Sequence, residues 1–199
     1  MLLPESWTER LPFLGALEDD WQTVPRASFV AWLLFYAFVL FELMSGGSFP
    51  RYMDLVFVPI HEGGHLLFGW FGQFIAVAGG TFLQLAAPAM LAIYFAFRRQ
   101  PQGVTFCAFF FFQQFLPISA YMADARAQEL PLLTVGSGDD VIHDWNYLFG
   151  RLGLLAHDTQ IASTVRAIGW LGMLGIVAWF VCRGLARNEN STPNDNKWK

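Results

Sequence analysis

Five stretches of the chain are dominated by apolar side chains, and polar segments separate them. The runs cover residues 28–44, 52–71, 74–97, 104–123 and 161–181. A helix needs about 20 largely apolar residues to cross the hydrocarbon layer of a membrane. The first run is slightly short, and the others reach that length. The pattern predicts an all-α membrane protein with about five transmembrane helices. The runs end on polar or charged groups: Ser45-Gly46-Gly47-Ser48 after the first, Arg98-Arg99 after the third, Arg183 and Arg187 after the fifth. Gly79-Gly80 interrupts the third run, so a broken or re-entrant element is expected there. Such backbone survives at membrane depth only where protein or a water-filled cavity covers it.

The remaining segments do not read as spans. Residues 1–27 are mixed and acidic and suit an interfacial position. Residues 28–183 form one polytopic domain, with a long connection at 124–160 that holds Gly136-Ser137-Gly138. Its second half interleaves apolar and polar residues over 141–155, behind Asp139 or Asp140 as a helix N-cap, and predicts a short amphipathic helix. The tail, 184–199, is polar and expected to be disordered. The bases at Arg51, Arg98, Arg99, Arg183, Arg187, Lys197 and Lys199 place their side in the cytoplasm.

Composition strengthens the membrane reading. Apolar residues make up 55% of the chain and charged residues 14%, against roughly 25% charged in soluble domains. The net charge is −4, with acids gathered at Glu5, Glu9, Glu18, Asp19 and Asp20. Nucleic acid is excluded as a partner, because it asks for a basic stripe. Cys107 and Cys182 lie inside apolar runs and read as packing residues. The first apolar run follows an acidic stretch, so no cleavable signal peptide is expected. The chain reads as an integral membrane protein, expected in a bacterial inner membrane, with the lipid bilayer as its first partner.

One cluster of polar groups stands out against this background. His61-Glu62-Gly63-Gly64-His65 sits between Val56-Phe57-Val58-Pro59-Ile60 and Leu66-Leu67-Phe68. Histidines four apart share one helix face, about one turn from each other, so both imidazoles can reach a single metal ion. Glu62 lies about 100° around the helix, placed to reach water at the metal without ligating it. An ionisable group near the bilayer centre costs about 2.5–3.5 kcal/mol on insertion scales. Three within five residues call for a partner, and one zinc ion fits. Gly63 and Gly64 weaken the helix and permit close approach of another element.

A catalytic zinc needs a third protein ligand and an open position. Asp124, at the end of the fourth run after Pro117, and His143, in the connection, are the competing candidates. Asp144 beside His143 could orient that imidazole. His157 lies just before the fifth run, where Asp158 suits an N-cap.

Taken together, His61 to His65, Gly80-Thr81-Phe82-Leu83-Gln84, and Leu116-Pro117-Ile118 followed by Asp124 resemble the site-2 protease class of intramembrane metalloproteases. Thr81 and Gln84 stand where that class has Pro and Asn, and Ala125 where it has Gly. The resemblance covers about residues 54–126. It implies a membrane-embedded zinc metalloendopeptidase acting on a membrane-protein substrate. Glu62 would be the general base, His61 and His65 metal ligands and Asp124 the third ligand, with Gln84 and Gly80 against the substrate strand. The alternative is a metal-binding membrane protein without proteolysis that holds partner helices. A transporter or proton relay ranks behind both, since no matching broken repeat accompanies Gly79.

Overall fold

The computed structural model describes residues 21–130 and 143–190. Among these every regular element is helical. Helix α1 spans Arg26–Ser45 and α2 Phe49–Phe68; α3 spans Gln73–Phe97 and α4 Pro101–Gln113; α5 spans Phe115–Ala123, α6 Asp144–Leu152 and α7 Asp158–Asn190. By length and composition four segments can cross a membrane: Arg26–Ser45, Gln73–Phe97, Pro101–Ala123 and Leu155–Leu185. The fifth expected span, α2, is a helix of 20 residues but lies outside this set. Asp54, His61, Glu62 and His65 dilute its apolar run.

Large apolar side chains point outward along these helices, among them Leu34, Phe41, Leu91, Tyr94 and Leu171. Water would penalise such an exterior; a bilayer matches it. The chain is therefore a membrane protein. Among the described residues the interior holds two apolar clusters. One joins Tyr36 and Val39 of α1 to Phe109 and Phe110 of α4 and to Met173 and Phe180 of α7. The other joins Ile118, Met122 and Ala125 to Phe149 of α6 and Ala162 of α7.

Helix α3 runs unbroken through Gly79 and Gly80, contrary to the expected interruption. The glycines serve close approach instead. A Cβ on Gly64 would collide with the Gly79 carbonyl and, at 2.8 Å, with the Gly80 Cα. The α2–α3 hairpin is thus packed backbone on backbone at the centre of the motif. The break comes elsewhere, at Gln114 between α4 and α5. Pro117 has no N–H to give the Gln113 carbonyl, which removes one rung of the helix.

The connection also differs in detail from expectation. Helix α6 begins at Asp144 and its N-cap is His143, whose Nδ1 accepts from the Asn146 N–H at 3.2 Å. Asp139 and Asp140 lie outside the described residues. Helix α7 continues to Asn190, so part of the expected tail is helical. Cys107 is buried, Cys182 is exposed, and both are free thiols.

Candidate metal centre

The site forms where the second half of α2 crosses the first half of α3 and the start of α6 closes over both. His61 and His65 project from one face of α2, ring centroids 4.7 Å apart. The His61 Nε2 lies 2.9 Å from Asp144 Oδ2, and the His65 Nε2 lies 3.3 Å from the same oxygen. These ligand atoms all lie within 4.8 Å of one another, and the group could hold a metal ion. Asp144 is buried and begins α6, where the helix dipole favours a carboxylate. Its backbone N–H donates to the Tyr121 hydroxyl at 3.1 Å, which ties the start of α6 to α5. Burial pushes the Asp144 carboxyl up, but the hydrogen bonds and charge of His61 and His65 outweigh it and hold the group below its ordinary value.

The outer nitrogens of the two rings decide what the inner ones can do. The His65 Nδ1 lies 2.9 Å from the Ala76 carbonyl, which can only accept. That nitrogen therefore carries the proton. The His61 Nδ1 lies 2.8 Å from Gln84 Oε1 and donates in the same sense. In the neutral rings both Nε2 atoms are left with lone pairs, aimed at a carboxylate oxygen that also has only lone pairs to offer. Three electron-rich atoms packed this closely call for a proton or a metal ion among them, and the group could hold the latter. Ligands arranged tetrahedrally on a zinc at about 2.0–2.1 Å stand roughly 3.3 Å from each other, close to the separations found here.

Gly80 supplies a second test of fit. A Cβ built on it would lie 2.6 Å from both Nε2 atoms. Any side chain at position 80 would fill the space in front of the ligand atoms. Glycine leaves that space clear.

Glu62 is half-buried. No hydrogen bond occupies its carboxylate among the described residues, and its charge acts on both His65 and Tyr121. It is an uncommitted carboxyl group beside the cluster.

The other sequence candidates lie elsewhere. His143 and Asp124 pair with each other, Nε2 to Oδ2, at 3.3 Å, so neither joins the His61–His65 group. The His143 Nδ1 is committed to capping α6, and its ring lies over Tyr121 at 4.2 Å. Asp124 accepts from the backbone N–H groups of Glu129 and Leu130 at 2.9 and 3.1 Å. Burial pushes its carboxyl up, but these donors and His143 outweigh it and hold the group below its ordinary value. Both residues position α6, and Asp144 is the residue that α6 delivers. Gln84, expected against a substrate strand, is buried and has both amide ends engaged, on His61 and on Gln114. His157 bonds Gln160 at 3.1 Å, away from the site. Arg126 binds the buried Asp158 at 2.7 Å.

Sequence reasoning gave Asp144 only a supporting part and passed over Asp54, Gln113 and Gln114. The usable signal was polarity inside an apolar run, which is costly at membrane depth and so marks a built-in partner. No family model, curated protein or solved structure matches this chain.

Proposed function

We propose that the protein is a zinc-dependent endopeptidase that cuts a transmembrane or membrane-proximal peptide bond of another membrane protein, in a bacterial inner membrane. One observation carries the reading: His61 Nε2, His65 Nε2 and Asp144 Oδ2 converge beside an uncommitted Glu62. Two imidazoles and one carboxylate are the donor set of hydrolytic zinc, which keeps a further position open. Two nitrogen ligands favour zinc over magnesium or calcium. When bound, the ion supplies Lewis acidity and makes water a nucleophile near neutral pH. Glu62 takes the proton of the attacking water and returns it to the leaving amine. Gly80 keeps the approach to the ligand atoms clear.

Glu62→Gln tests this. The variant should bind metal as the wild type does and lose cleavage of a membrane-embedded reporter by at least about 100-fold, the usual share of a general base. Undiminished cleavage would overturn the mechanism. A second reading, metal binding without proteolysis, draws on the unbroken α3 and the committed Gln84, which leave no open strand edge beside the cluster among the described residues. Under it, Glu62→Gln is silent while His61→Ala abolishes partner binding.

A further inference from the structure

A line of side-chain amides leads away from the centre through the interior. The His61 Nδ1 donates to Gln84 Oε1 at 2.8 Å. The Gln84 Nε2 donates to Gln114 Oε1 at 2.7 Å. The Gln114 Nε2 donates to Gln113 Oε1 at 2.6 Å, and the Gln113 Nε2 donates to Asp54 Oδ1 at 3.0 Å. All three glutamines are buried. Gln113 and Gln114 are consecutive and both buried, at the junction of α4 and α5. Every donor in the line points the same way, and the line ends on a carboxylate.

That direction has a chemical consequence. An amide presents oxygen at one end and N–H at the other, so turning one over turns its neighbours. In its ionised form Asp54 offers acceptors only, so Gln113 then faces it with its NH2. Gln113 then shows oxygen to Gln114, Gln114 shows oxygen to Gln84, and Gln84 shows oxygen to His61. His61 must carry its proton on Nδ1, which leaves Nε2 free to ligate.

We propose that Asp54 is a positioning residue of the metal centre: through Gln113, Gln114 and Gln84 its carboxylate fixes the ring tautomer of His61. This rests on the metal-site reading above. Carboxylates commonly orient a metal-binding histidine by direct contact. Here three buried amides carry the same instruction across the bundle, and the acid itself stays clear of the centre.

The test is a cobalt(II) titration of the purified full chain in detergent. In Asp54→Asn the terminal amide can turn either end to Gln113, so the line loses both its charge and its single direction. Affinity should fall by about 10- to 100-fold, as for other groups that orient ligands. Gln114→Met cuts the line in the middle while filling the volume, and should lose affinity similarly. Asp54→Asn combined with Gln114→Glu moves the anion two links closer. The carboxylate introduced by Gln114→Glu accepts from both Gln113 and Gln84, so the His61 proton is fixed again and affinity should return to within about threefold of wild type. A packing role for Asp54 predicts no such rescue. Wild-type affinity in Asp54→Asn, or a double variant as weak as the single one, overturns the inference and leaves the metal site standing. A wild-type chain that takes up no cobalt overturns both.

Discussion

His61 and Asp144 are 83 residues apart in the chain, yet the Nε2 of one lies 2.9 Å from the Oδ2 of the other. No secondary-structure ladder enforces this contact. It follows from the α2–α3 crossing, which fixes where His61 points, and from the capping of α6 by His143, which fixes where Asp144 begins. Asp144→Ala should therefore lower metal affinity by more than about 100-fold, beyond what outer groups usually contribute. Asp124→Asn and His143→Gln should each lower it by about tenfold or less, since they act by placing α6. Metal content after dialysis against a graded chelator separates the two cases. A larger loss in Asp124→Asn than in Asp144→Ala would return the third ligand to Asp124.

Gly80→Ala isolates the cleared space. Alanine is the better helix former by about 1 kcal/mol, so helix content should hold or rise by circular dichroism. The new methyl group would lie 2.6 Å from both Nε2 atoms and should abolish metal binding. Retention of metal by a folded Gly80→Ala protein would show that the ion does not use both nitrogens.

The two glycines inside the motif should behave oppositely. A methyl group on Gly64 meets the backbone of Gly79 and Gly80, whereas one on Gly63 meets only Leu83, at 3.9 Å. Gly64→Ala should cost about 1–3 kcal/mol by overpacking. Gly63→Ala should be neutral or stabilising by up to about 1 kcal/mol. Thermal unfolding in detergent reads both, and equal effects would contradict the crossing described here.

Asp124 gives the fold a dependence on acid. Its folded carboxyl titrates below the ordinary value of 3.8, so it adds stability above that pH, lost as pH falls through the folded value. The Tm difference between wild type and Asp124→Asn should be constant from about pH 5 to 7 and shrink below about pH 4. A difference that widens in acid would mean that the group is protonated more readily in the folded state.

The apolar runs announced nearly every helix, because length and apolarity are local properties of sequence. The HEGGH pattern announced the two histidines that meet in the candidate group, because spacing on one helix is local too. Asp144 was harder to place. It stands beside a histidine with stronger ligand character, and only the identity of the N-cap decides which neighbour turns inward. Gly79-Gly80 misled for a related reason: a glycine pair that loosens a helix and one that admits a neighbouring backbone look alike until the neighbour is seen. Gln113 and Gln114 follow a block of phenylalanines, and nothing local in the sequence links their amides to a site. Their partners, Gln84 and Asp54, come from two other helices.

The position of Asp144 also sets an order of events during synthesis. Ribosomes add about 5–20 residues per second, so the 83 residues between His61 and Asp144 take roughly 4 to 17 s to emerge. During that interval the two imidazoles already share a helix face while their third partner does not yet exist. A metal ion held by all three groups would therefore be captured only once Asp144 is made, as a clasp joining the first half of the protein to the second.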